Sequence, residues 1–204
     1  MWQLVPLTLL CITSVVQGLS FRASTNQPCF NISKPETPVL DPKWIHSLEK
    51  IYYPVMSTVH LYRVAVDLLQ KDPKDVRLST VYYDACITWT LFGNGTSVQR
   101  GFNGLTREYE TTPLSDNPDA FTFVGVGGNK DIYAGTLNTL LTDNKTFFFS
   151  AICLSNGEMS WGVGSTTPTL TEETKKIVLD YATNLGFNTE DFTELKYDSC
   201  KNKN

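Results

Sequence analysis

Apolar and polar residues alternate along most of the chain, and turn-forming clusters break the alternation at short intervals. Runs rich in Val, Ile, Thr, Tyr and Phe occur at 50–56, 59–70, 76–83, 85–92, 97–109, 120–126, 131–141, 146–154 and 159–165. Clusters such as "KDPKD", "GNGTS", "LSDNPD", "TDNK" and "SNGE" separate them. Branched and aromatic side chains suit a pleated surface, so these runs predict strands joined by tight turns. In "VHLYRVAVDLL" the period is two: His60, Tyr62, Val64, Val66 and Leu68 fall on one face, with Arg63 and Asp67 on the other. Eight or nine short strands fit a β-sandwich or an up-and-down barrel.

Two segments read differently. "DPKWIHSLEK" suits a short turn of helix, with Asp41 as N-cap and Pro42 at the first helical position. After Pro168 the chain predicts a longer helix over 169–186. Thr169 serves as its N-cap and Glu172, three residues on, completes a capping box. Leu170, Ile177, Val178, Tyr181, Ala182 and Leu185 follow helical spacing, giving one apolar face. Gly186 suits the left-handed position after the last turn, with Phe187 folding back on Ala182 or Tyr181. Such a stripe must be buried, and the preceding strands are the nearest surface. A barrel with one helix outside provides that surface; an immunoglobulin-type sandwich has no need of the helix. The expected fold is mainly β, an eight-stranded up-and-down antiparallel β-barrel with one C-terminal α-helix packed on its outside.

The N-terminus changes the compartment. "MWQLVPLTLLCITSVVQG" carries no charge, is apolar from Leu4 to Val16 and ends in Val16-x-Gly18, so residues 1–18 read as a signal peptide. Residues 19–49 then form an extended N-terminal segment, and 50–204 the barrel with its helix. No second apolar run is long enough to span a membrane. The expected product is secreted, extracellular and monomeric. Its formal charge of −4 supplies no basic field for nucleic acid. With Cys11 removed, Cys29, Cys86, Cys153 and Cys200 remain, an even number that predicts two disulfides with three possible pairings. Asn31, Asn94 and Asn144 begin N-x-Ser/Thr sequons. No metal and no cofactor is expected: His46 and His60 have no Cys or acidic residue at ligand spacing. The glycine-rich "VGVGGNK" has no helix behind it to bind phosphate, so it reads as a hairpin turn around Gly127-Gly128-Asn129.

The C-terminal half resembles a known family. "KTFFFSA", "SWGVGS", "TPTLTEETKKIVLDYATNLGF" and a final Tyr-Asp-x-Cys occur in the order seen at the end of orosomucoid-type lipocalins. They resemble the related fish lipocalins that carry saxitoxin, tetrodotoxin or tributyltin, and "VYYDACITWTLFGNGT" is similar to that family's segment with the mid-barrel cysteine. The resemblance covers roughly residues 76–200. It implies a Cys86–Cys200 bridge. The family's second bridge ends on a helix cysteine that this chain lacks, so Cys153 would replace it and pair with Cys29. Gly-x-Trp, which opens the first strand in the family, is absent: either Trp44 is the displaced tryptophan or Ile51 closes the barrel base, the latter being the preferred reading.

An eight-stranded barrel holds one small ligand. His60 and Tyr62 fall on the expected inward face of the second strand, and Trp161 matches the tryptophan that lines the cavity in the resembled family. Tyr82, Trp89, Phe123 and Tyr133 are further aromatic candidates. In "FFFSAIC", Phe149 and Phe148 lie on opposite faces, and parity alone leaves open which points inward. Arg63, Arg100 or Arg107 near a mouth would suit an acidic headgroup. The chain therefore reads as a non-enzymatic carrier of a small lipophilic or amphipathic molecule, with toxins or xenobiotics suggested by the resemblance. A glycosylated interaction or immunomodulatory protein acting through its surface is the alternative. A lipocalin-type isomerase is the weakest reading, because that chemistry needs an unbridged cavity thiol.

Overall fold

The computed structural model describes residues 39–77, 85–102, 104–127, 133–198 and 200. Helix α1 (Pro42–Ser47) starts as expected, with the Asp41 carboxylate accepting from Lys43 N at 2.9 Å. Strand β1 (Ile51–Ser57) follows, then helix α2 (Thr58–Leu69) and a 3-10 turn (Pro73–Asp75). Seven consecutively paired strands complete the wall: β2 (Thr88–Phe92), β3 (Thr96–Gly101), β4 (Leu105–Leu114), β5 (Asn117–Gly125), β6 (Gly135–Thr142), β7 (Phe147–Leu154) and β8 (Met159–Ser165). Helix α3 (Glu172–Asn184) and a short β9 (Phe192–Glu194) end the chain.

Neighbouring strands pair antiparallel in the order β2-β3-β4-β5-β6-β7-β8-β1-β9, and β1 also pairs with β2, so eight strands close a barrel and β9 joins its margin. This is the expected architecture, with α3 outside it. The closing seam is short: β1 and β2 share the pairs Ile51↔Trp89 and Tyr52↔Thr88. Beyond them the C-terminal tail repairs the ladder. Buried Tyr197 donates its hydroxyl proton to Ile87 O and accepts from Tyr53 N at 3.0 Å. The Cys86–Cys200 disulfide ties the same tail down, as the family resemblance implies. Tyr197→Phe strips both buried backbone groups of their partner and is expected to cost about 1–3 kcal/mol. Urea unfolding checks it; an unchanged midpoint would mean the hydroxyl does not hold the seam.

Three expectations are corrected. The run 59–70 is helix α2, where a strand was expected. Its residues also satisfy a 3.6 period, with Leu61, Val64, Ala65 and Leu68 all buried. Valines favour a strand locally, but the Ser57 hydroxyl caps the helix by accepting from His60 N, and burial on most sides outweighs propensity. The run 97–109 is likewise two strands, turned at Phe102 and Gly104 by positive φ. The C-terminal helix starts later than predicted: Thr171, not Thr169, caps it by accepting from Thr174 N. Its end is as expected, with Gly186 at φ +84 and Gly186 N and Phe187 N donating to Thr183 O and Ala182 O.

The core has two compartments on either side of the wall. Outside, Val178 and Ala182 of α3 pack on Val55, Phe149, Trp161 and Val163. Inside, Ile51, Tyr53, Phe123, Phe148 and Ile152 meet the apolar residues of α2. Ile51 is fully buried in the inner cluster, and Trp44 packs edge-on against Phe148 with centroids 6.3 Å apart.

Candidate functional site

The barrel lumen is divided in two by its own side chains. β1 delivers the chain to the end opposite α1, and there α2 turns back into the barrel. His60 and Asp67, each 1 % exposed, lie on its buried side. His60 sits 3.3 Å through Nε2 from the Tyr133 hydroxyl and 3.5 Å through Nδ1 from Ser160 Oγ. Burial lowers its pKa to about 3, so it is neutral. Asp67 accepts from the Tyr109 hydroxyl at 2.5 Å and lies 3.4 Å from Arg107 Nε. Burial raises its pKa, against the opposing pull of Tyr109, Arg107 and Gln70. Arg107 in turn donates to the carbonyls of Val126 and Gly127. These bonds fasten α2 as a plug. Against it, Tyr53, Trp89, Gln99, Tyr109, Phe123 and Tyr133 enclose a void of only about 10 Å³, room for a water and not for a ligand.

The other half of the lumen is hollow. A cavity of about 440 Å³ opens between α1, the β2–β3 turn and the β4–β5 turn, with Leu40, Ile45, Leu91, Pro113, Ala120 and Phe121 among its walls. That volume lies in the range of small-molecule sites. Phe92 stands at its rim, 44 % exposed. The rim is held by two side chains. Asp119 accepts from Val39 N and Leu40 N, while Asn144 accepts from Asp41 N and donates to Val39 O. Phe121 forms the inner end of the cup against Trp89, with centroids 5.5 Å apart.

The candidate residues distribute unevenly over this geometry. Phe123 is inside, beneath the plug, with its ring centroid 4.9 Å from that of Tyr133. His60 is inside too, but as part of α2 and not of a wall strand. Tyr62 lies on the outer side of α2 and donates to Pro73 O, with Arg63 over its ring. Trp161 is corrected, and the parity left open for Phe149 is decided against it: both face outward, stacked at 5.8 Å beneath α3. The alternation in "SWGVGS" decides this. Gly162 and Gly164 face inward, where a Cβ at Gly164 would come within 2.1 Å of the Phe148 ring and one at Gly162 within 3.4 Å of His60. Phe148 and Ile152 thus take the inward parity of β7. Arg63 pairs with Glu158 outside, Arg100 is exposed, and Arg107 is buried beside Asp67. Tyr82, Asn31, Cys29 and residues 1–38 as a whole lie outside the described residues. So does the Cys29 half of the expected Cys29–Cys153 pair, although Cys153 is disulfide-bonded. Asn94 is exposed on the β2–β3 turn, its side chain accepting from Thr96, while Asn144 is half-buried in the rim contacts. Among the described residues no three metal-ligating side chains gather, and no helix is long and apolar enough to cross a membrane.

The residues that wall the cup were missed because Leu91, Pro113 and Phe121 look like any strand or turn residues in the sequence. A legible signal was Leu40 before α1 and Ile45 within it, two apolar side chains that need a surface to cover.

No family model matches the chain, and no curated protein matches it in sequence. Among solved structures it is similar to apocrustacyanin C2, at 14% identity and TM-score 0.50 over 76% of this chain and 79% of that one. Lobster apocrustacyanin A1 gives 14% identity and TM-score 0.49, over 74% and 77%. A variant of LTBP1 in complex with leukotriene C4 gives 12% and 0.48, over 76% and 86%. At these identities the likeness speaks for the fold: the barrel is that of the lipocalins.

Proposed function

We propose that this protein is a non-enzymatic carrier, secreted after loss of residues 1–18, that holds one small lipophilic or amphipathic molecule in the cup at the α1 end of its barrel. The carrying observation is the 440 Å³ apolar cavity, set against a void of about 10 Å³ beneath α2. Burial of ligand against Leu91, Ile45 and Phe121 would supply the affinity, at roughly 25 cal/mol per Å² of apolar surface before the costs of association. The leukotriene complex of the LTBP1 variant and the sequence resemblance to orosomucoid-type, toxin-carrying lipocalins accord with a carrier without naming the cargo. Isomerase chemistry is disfavoured because Cys86, Cys153 and Cys200 are all disulfide-bonded.

The test is displacement of N-phenylnaphthylamine from the purified secreted protein by fatty esters, steroids and amphiphilic toxins. Saturable binding is expected, weakened at least ~10-fold in Thr111→Trp, which puts an indole at a residue lining the cup, because lost apolar burial of this size costs more than about 1.4 kcal/mol. Trp161→Phe is expected to leave the affinity unchanged, since that ring lies under α3. No saturable binding by folded protein would favour the second reading, a glycoprotein acting through its surface. One observation supports that reading: the lumen's α2 end is filled by the protein itself.

A further inference from the structure

A second concavity lies on the outer wall, where β1 and β2 close the barrel. It measures about 150 Å³ and shares no lining residue with the cup. Lys50, Tyr52, Thr88 and Arg100 line it, with the Cys86–Cys200 disulfide and Tyr197 of the tail. The strand register puts the first four on one face. Tyr52 is the ladder partner of Thr88, and Thr88 of Arg100, so three side chains stand in a row across the seam, each about 5 Å from the next at Cβ. Their chain neighbours Ile51 and Trp89 belong to the inner cluster, on the opposite face. Lys50 precedes Tyr52 by two residues and holds its ammonium 5.9 Å from the centre of that ring.

Two cations thus line one cleft, and no acidic side chain does, although acidic residues outnumber basic ones in the chain by 21 to 17. Elsewhere Arg63, Arg107, Lys175 and Lys176 each lie against a carboxylate. Lys50 and Arg100 have no ion-pair partner among the described residues. Arg100 has threonines on both sides in the ladder, Thr88 and Thr106, where an acidic residue would stabilise it. An oxyanion supplies what is missing: the guanidinium fork matches two of its oxygens, the Lys50 ammonium adds a point charge, and Thr88 adds a hydroxyl. The other walls are apolar. Tyr52 and Tyr197 meet edge to face with centroids 5.2 Å apart, and Pro168 lies on the same cleft. The volume, roughly that of five waters, takes an anionic group and a single ring but no long hydrocarbon chain.

We infer that this cleft is a second binding site, for a compact aryl oxyanion such as the phosphate or sulfate monoester of a single ring. The oxygens lie between Lys50 and Arg100, and the ring lies against Tyr52 and Tyr197. Because Tyr197 and Cys200 belong to the wall, the site exists only with the tail docked, and a bound anion stabilises the seam by mass action.

The experiment is calorimetric titration of phenyl phosphate, inorganic phosphate and phenol into the purified protein at constant ionic strength. Phenyl phosphate is expected to bind saturably and more tightly than either fragment. Its affinity should fall about 5-fold in Lys50→Gln and in Arg100→Gln, a charge-assisted contact at an accessible surface keeping only part of its full strength. Lys176→Gln, which removes an exposed charge from α3, should leave it unchanged. Hydrogen exchange at the Tyr53 amide, which donates to Tyr197, should slow when phenyl phosphate is bound. Absence of saturable binding, equal affinity in wild type and both cleft variants, or an equal loss in Lys176→Gln would overturn the inference. So would inorganic phosphate binding as tightly as phenyl phosphate. The cup shares no residue with the cleft, so the carrier reading stands or falls separately.

Discussion

Acidification from pH 7 to pH 3 is expected to cost the fold about 4 kcal/mol through His60 alone, because burial moves its pKa from 6.5 to about 3. The sign follows from which state takes the proton. In the unfolded chain His60 titrates near 6.5; in the barrel, burial holds it at about 3. Between those values the unfolded state binds more protons, so stability falls as pH drops through that window and levels below it. Asp67 acts in the opposite sense. Its pKa is raised by burial, so its contribution to stability is greatest in acid and is lost as pH rises through the folded value. Comparing wild type with His60→Gln separates the two, because the amide keeps hydrogen-bonding capacity toward Tyr133 and Ser160 without titrating. Urea unfolding of the variant should show a much flatter dependence between pH 6.5 and pH 3. An equal slope in both proteins would show that His60 is protonated in the fold or reached by solvent. The consequence for function is specific: the plug would loosen in acid, while the cup at the α1 end would not be affected directly.

Removing the Cys86–Cys200 bridge should be equally damaging, at about 4 kcal/mol, because the two cysteines are 114 residues apart and the bond restrains a long loop in the unfolded chain. The bond also has a local task. It anchors the tail whose Tyr197 hydroxyl mends the β1–β2 seam, so the paired Cys86→Ser/Cys200→Ser variant should expose the amide of Tyr53 to hydrogen exchange earlier than amides in β6 and β7. Combined with Tyr197→Phe, the losses should be less than additive, since both changes release the same tail. A double-serine variant as stable as wild type, or full additivity with Tyr197→Phe, would refute this account.

Much of the architecture was legible without coordinates. Hairpin turns at "GNGTS" and "SNGE", the alternating runs between them and the helix before Gly186 are local signals, and they predicted a barrel with an external helix. Asp41 and Gly186 sat at helix ends as their chemistry requires. The failures share one cause. "VHLYRVAVDLL" satisfies both a two-residue and a 3.6-residue period, and local propensity chose the strand; only the space inside a finished barrel makes a helix buried on most of its sides favourable there. Trp161 was expected inside from the family resemblance and the side of Phe149 was left open, yet both lie outside the wall, for a related reason. A strand's parity is readable, but which face is inward depends on what packs there, and both faces of β7 and β8 are buried.

The sequence by itself therefore determined the strands from β5 to β8, the first and last helices, the Cys86–Cys200 staple implied by resemblance, and the outer position of α3, because turn chemistry, capping and an unburied apolar stripe act over a few residues. Tertiary structure alone decided that α2 fills one end of the lumen and that the hollow lies at the α1 end. Those outcomes depend on volume shared among strands distant in sequence, and volume has no local signature.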